Sequence, residues 1–300
     1  MLSAIKKSNH RETVTFYLLI SPWLIGLVCF VLGPIVASFV ISFMRWDMIS
    51  PAKLIGLENY RHMFTEDPLF WKSLGNTLFF TFVRVPLALV VALGLALLMN
   101  QGVRGIGVFR SIFYLPSVVS GVAVSMLWVW VFNPNFGIMN AALEAIGIRG
   151  PGWFTDPNLA LSTLVLVSLY NVGGTAVIFL AGLKNIPVSL YEASDLDGAS
   201  AWQKFIYITI PQLTPTILFN LIMLLITSFQ TFTEPLIITN GGPVNSTLLF
   251  NLYLYQNAFS YSKLGYACAM AWIMFVITMA CSAYVFKTSK RWVYYEGGDR

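Results

Sequence analysis

The chain has 300 residues, 57% of them hydrophobic and only 10% charged. Those proportions exclude an ordinary soluble domain and describe an integral membrane protein. The net charge of +5 is read by position, because basic residues in such a chain report orientation, so no nucleic acid partner is implied.

A helix needs about 20 apolar residues to cross the hydrocarbon core, and six runs are long enough. In chain order they lie at roughly 14 to 45, 73 to 99, 111 to 132, 158 to 182, 212 to 235 and 265 to 287. The expected fold is all-α, a polytopic membrane protein with six transmembrane helices over residues 14–287, between tails at 1–13 and 288–300. The first run exceeds one crossing and holds Pro22 and Pro34, which predicts a tilted span or an interfacial start. Lacking a small-residue cleavage site, it reads as a retained span rather than a signal peptide. Cys29, Cys268 and Cys281 sit in apolar runs without metal-ligand spacing and read as packing residues. His10 and His62 are far apart and have no evident carboxylate partner, so no hydrolytic centre is expected.

Six spans put both termini on one side. The tails, the second loop and the fourth loop hold Lys6, Lys7, Arg11, Arg104, Arg110, Lys184, Lys204, Lys287, Lys290, Arg291 and Arg300. The opposite loops hold Arg45, Lys53, Arg61, Lys72, Arg149 and Lys263, and the excess on the first side makes both termini cytoplasmic.

The fourth loop, 187–211, is polar and reads as two short helices. Pro187 suits a first turn, Leu190, Ala193 and Leu196 recur at helical spacing, and Glu192, Asp195 and Asp197 accompany them. Gly198 permits a left-handed turn, and Ser200 with Gln203 forms a capping box that restarts a helix through Trp202, Phe205 and Ile206. Pro211 and Pro215 are expected to interrupt the pattern before the fifth span. From residues alone this is a well-capped solvated connector.

The stretch also resembles the cytoplasmic coupling motif of bacterial binding-protein-dependent ABC permeases: Glu-Ala-Ala, three residues, Gly, nine residues, Ile, one residue, Leu-Pro. Here Glu192, Ala193, Ser194, Gly198, Ile208, Ile210 and Pro211 fall at that spacing, with Ser for Ala and Ile for Leu. "FRSIFYLPSVVSGVAVSMLWVWVFNPNFGIMN" and "SFQTFTEPLIITNGGPVNSTLLFNLYLYQNAF" are similar to the carbohydrate branch of that family, the type I importer permeases, and to the first of its two permease subunits. The resemblance implies a coupling surface of Tyr191, Glu192, Ala193, Asp195, Asp197, Gly198, Ala199 and Phe205. It also implies a second homologous permease, two ATP-binding-cassette ATPase subunits that hold ATP and Mg, an extracytoplasmic solute-binding protein and a carbohydrate substrate. The chain itself lacks a Gly-x-x-x-x-Gly-Lys-Ser/Thr loop, so no cofactor is expected in it.

A sugar site within a membrane needs hydrogen-bonding groups and aromatic faces turned into the bundle. The fourth span offers Tyr170, Asn171, Gly174 and Thr175, and the fifth offers Thr227, Ser228, Gln230, Thr231 and Glu234; helix packing is the other reading of the small residues and hydroxyls. Arg84, inside the second span, either pairs with a carboxylate such as Glu234 or helix carbonyls, or attracts an acidic, uronate-containing sugar. An ion-coupled sugar carrier is the rival reading and would rest on Glu234 as its intramembrane carboxylate.

Overall fold

The computed structural model describes residues 2–102 and 104–294, with side chains from Glu12 onward. The side chains of Lys6, Lys7, His10 and Arg11, and residue Arg300, therefore lie outside the described part. Two compact units divide the chain: Met1–Glu66 with Gln256–Ile273, and Asp67–Tyr255 with Met274–Arg300.

In the first unit, α1 (Leu2–Leu27) passes through a π turn at Val28–Leu32 into α2 (Gly33–Ile41). The result is one unbroken apolar rod over Glu12–Ile41, and Cys29 on it is exposed rather than packed. The widened turn precedes Pro34 and absorbs its missing N–H and its ring, and the Leu18 carbonyl that Pro22 cannot satisfy is taken by the Ser21 hydroxyl at 2.8 Å, so neither proline breaks the helix. A short antiparallel pair follows, β1 (Met44–Arg45) and β2 (Lys53–Leu54), and then α3 (Glu58–Thr65). The buried amide of Asn59 on α3 donates to the carbonyls of Ser42 at 2.8 Å and Met44 at 2.9 Å, which fastens helix to hairpin. His62 does have a carboxylate partner, Glu66 at 3.0 Å one turn on, which corrects the expectation of an isolated histidine.

The second unit begins with α4 (Pro68–Met99), capped by Asp67, whose Oδ1 accepts from the amides of Leu69 and Phe70. The expected third span is not one helix: α5 (Ile106–Tyr114), extended by a 3-10 turn to Ser117, meets α6 (Gly121–Val131) at 95°. Pro116 lies in that turn and Ser120 is extended, so the helical ladder cannot cross residues 118–120. After α7 (Ile138–Ala145) the fourth span is also broken, α8 (Ala160–Ser168) and α9 (Gly173–Lys184) meeting at 49°. Gly173 makes the second piece possible, since a Cβ there would strike the Phe113 carbonyl.

α10 (Val188–Leu196) starts just after Pro187, and α11 (Ala201–Lys204) leads through a π turn at Phe205–Thr209 into α12 (Ile210–Phe229) and α13 (Thr233–Ile238). The prolines do not interrupt the fifth span as expected. The π turn accommodates Pro211, and the Pro211 carbonyl that Pro215 cannot satisfy is taken by the Thr214 hydroxyl at 2.6 Å. α14 (Phe250–Tyr255) and α15 (Leu264–Ser289) complete the chain. Among the described residues four helices are long and apolar enough to span a membrane, and the two bent pairs bring the number to six if each is one span.

Small residues decide how the second unit packs. Ala88, Ala92 and Ala96 recur every fourth residue on α4 and are fully buried, which lets α9 and α12 approach closely. Phe179 and Leu183 of α9 and Leu213 and Leu224 of α12 fill the space between, and Gly182 lies against Thr216 and Leu213. Leu190, Tyr191 and Ile208 pack on this core from the segment that joins α9 to α12.

Candidate functional site

The joining segment is an elbow closed by its own hydrogen bonds. Gly198 sits at φ +74°, the amide of Ala199 donates to Ser194 at 2.9 Å, and that of Gly198 donates to Asp195 at 3.1 Å. This is the paired closure of a Schellman motif, and it reverses the chain within two residues. The restart is the expected capping box: Ser200 Oγ accepts from the Gln203 amide and Gln203 Oε1 accepts from the Ser200 amide. Two long-range ties hold the helices together, an ion pair between Lys204 and Asp195 and a 2.8 Å hydrogen bond between the Tyr191 and Thr209 hydroxyls.

These ties sort the residues expected at the coupling surface. Asp195 is committed to Lys204, and Tyr191 turns inward to the core. Glu192, Ala193, Asp197 and Gly198 are exposed, whereas Ala199 and Phe205 are half-buried; Glu192 and Asp197 form no ion pair among the described residues. Beside them Leu196 is 92% exposed, Tyr207 76% and Trp202 68%. Exposed apolar side chains on the same elbow as two carboxylates without an ion pair among the described residues depart from the composition of a solvated connector. The exposure of Leu196 and Tyr207 is not legible in the sequence, because helical periodicity alone assigns apolar residues to the inner face.

The second cluster lies around Arg84. Its Nε donates to Ser168 Oγ at 3.1 Å, one Nη donates to Ser228 Oγ at 2.6 Å, and the guanidinium stands 5.8 Å from the centre of the Phe80 ring. Of the structural partners expected, neither Glu234 nor a helix carbonyl bonds the guanidinium among the described residues: Glu234 acts on it only by charge from beyond ion-pair distance, and two buried hydroxyls take the contacts. Ser168 closes α8 and Ser228 lies at the end of α12, so Arg84 ties α4 to both helices just before each of them breaks. Two of its five N–H groups are used by these bonds. Ser168 was not singled out from sequence, since one hydroxyl before a helix break carries no pattern.

The other expected substrate residues divide. Asn171 and Gln230 are exposed at the breaks of the fourth and fifth spans, and Gly174 faces open space. Tyr170 is exposed and meets Trp128 edge-on, ring centres 5.4 Å apart, while the Trp128 indole N–H is buried with no partner among the described residues. The Thr227 hydroxyl bonds Met223 and Leu224, and that of Thr231 bonds Thr227, so both serve their own helix backbone. Thr175 and Glu234 are half-buried. Among the described residues no three His, Cys, Asp or Glu side chains gather as a metal site would require.

Known proteins fit this arrangement. A model of the family described as "Binding-protein-dependent transport system inner membrane component" matches residues 85–293. The "Probable ABC transporter permease protein YesP" of Bacillus subtilis (strain 168) is 45% identical over 302 residues, covering 99% of this chain and 97% of that protein. The "Sulfoquinovosyl glycerol transport system permease protein SmoG" of Agrobacterium fabrum is 38% identical over 269 residues, 89% of this chain and 87% of that one. A crystal structure of a bacterial ABC transporter "involved in the import of the acidic polysaccharide alginate" superposes with a TM-score of 0.84 at 22% identity, over 96% of this chain and 99% of that one, which fixes the fold. Matching over most of its length, with the motif elbow intact and four to six apolar helices or bent pairs of spanning length among the described residues, the chain belongs to the family of binding-protein-dependent transport system inner membrane components and is a membrane transport subunit, not an enzyme.

Proposed function

We propose that this chain is one of two permease subunits of an ATP-driven importer for a carbohydrate, an oligosaccharide, delivered by an extracytoplasmic binding protein. The elbow at Gly198 carries the reading: a surface closed by its own hydrogen bonds, with exposed apolar side chains and fixed to the core of α4, α9 and α12, is what an external motor needs in order to move spans. Two ATPase subunits with their ATP and Mg would act on it, and the distribution of lysine and arginine supports cytoplasmic termini in the bacterial inner membrane. The name of the SmoG relative supports a sugar-containing substrate. Alternating access then follows from two states that differ in affinity for substrate and nucleotide.

The substrate class narrows at Arg84. Three N–H groups of a guanidinium that has no carboxylate in ion-pair contact among the described residues, Glu234 acting on it only from a greater distance, favour an acidic sugar, whose carboxylate matches the fork. Nearby Tyr170, Asn171 and Gln230 would supply the ring face and amides. Purification through a tag on this chain, from mild detergent, is expected to bring down a second permease and an ATPase together. Recovery of the chain alone, with sugar uptake dissipated by a protonophore while ATP is maintained, would establish the ion-coupled carrier instead.

A further inference from the structure

A lateral groove lies along α12 and α15, lined by Ile222, Met279, Ser282, Ala283, Phe286, Lys287 and Lys290, with a volume of about 550 Å³. Met279, Ser282, Ala283, Phe286 and Lys290 fall at i, i+3, i+4, i+7 and i+11, so they form one stripe along the helix. Small Ser282 and Ala283 make the trough between the larger Met279 and Phe286. The Ser282 hydroxyl is buried without a partner among the described residues. Lys287 and Lys290 close one end, and neither pairs with a carboxylate among the described residues.

We propose that this groove holds an anionic phospholipid, one acyl chain along the trough and its phosphate between Lys287 and Lys290. Dimensions and charge both select that occupant. From Met279 to Lys290 is about 16 Å at 1.5 Å per residue, the depth of one leaflet of a hydrocarbon core about 30 Å thick. An apolar floor ending in two ammonium groups at the mouth is complementary to an acyl chain ending in a phosphodiester. The C-terminal end of α15 adds partial negative charge that favours the lysines at this position. Basic pockets between spans on the cytoplasmic side bind anionic headgroups in this way. The side of the membrane rests on the orientation proposed above; the groove itself does not.

The test is native mass spectrometry of the intact transporter released from vesicles of phosphatidylglycerol and phosphatidylcholine in equal amounts. Wild type is expected to retain phosphatidylglycerol over phosphatidylcholine by about 30-fold, K287Q/K290Q to lose that preference, and A283W, which fills the trough, to lose both lipids. Each variant must elute as the full complex. Unchanged retention in K287Q/K290Q overturns the proposal. So does displacement of the second permease by A283W, which would make the groove a subunit interface, or equal lysine-dependent binding of free glycerol phosphate, which would make it a phosphate site. An outward-facing C-terminus would overturn the orientation while leaving lipid retention intact, so the two failures are distinguishable.

Discussion

Replacing Gly198 by proline is expected to abolish substrate-stimulated ATP hydrolysis and uptake together, while the chain still inserts and assembles. Proline holds φ near −65°, so it cannot occupy the +74° position, and it also removes the N–H that closes the turn on Asp195. The helices on either side would leave the turn in new directions, and the exposed surface of α10 would no longer be tied to the core. Alanine at the same position provides a graded control. No neighbour lies within 4 Å of a Cβ there, so Gly198→Ala meets only the left-handed backbone penalty of about 1–2 kcal/mol and should retain part of the coupling. Glu192→Lys reaches the same end by another route. Glu192 is exposed and has no ion pair among the described residues, so its reversal leaves the fold alone and places repulsion at the motor interface. Stimulated hydrolysis should fall by about tenfold or more, the effect of like charges facing each other across an interface. Normal uptake by both Gly198→Pro and Glu192→Lys would refute the coupling role.

The second large effect is expected at Arg84. Glutamine there retains donors for Ser168 and Ser228 and removes the charge and the fork. Uptake of a uronate-containing oligosaccharide by Arg84→Gln should fall by about tenfold or more relative to a neutral oligosaccharide of equal length, the order expected for a lost charge-assisted pair. Equal loss for both sugars would make Arg84 a structural pillar alone. The pillar role is visible in any case: one side chain joins α4 to the ends of α8 and α12, where the fourth span bends by 49° and the fifth is interrupted between Phe229 and Thr233. Those breaks are where a bundle can flex without unfolding its helices.

The sequence announces the spans because apolar length is a local quantity, and it announces the elbow because caps and left-handed glycines have short signatures. Gly198 and the Ser200–Gln203 box stand where those signatures put them. The bends were not legible. Residues 118–120 break the third span by 95° although they are apolar or small, and Gly173 matters only because Phe113, distant in sequence, lies against it. The prolines misled for the complementary reason. A proline predicts a break, but π turns before Pro34 and Pro211 and the hydroxyl of Thr214 repair the ladder locally. The candidate site is half legible: Ser228 and Arg84 each stand out as polar groups within apolar spans, yet the bond between them joins positions 144 residues apart and no periodicity encodes it.

Site-directed cross-linking from the elbow tests the mechanism most directly. Leu196→Cys, at the most exposed apolar position of the elbow, should cross-link to the ATPase subunit in the assembled transporter, whereas Phe136→Cys, exposed on a loop between α6 and α7, should not. Labelling of Leu196→Cys by a membrane-impermeant thiol reagent added outside the cell, without any cross-link to the ATPase, would contradict both the orientation and the coupling role.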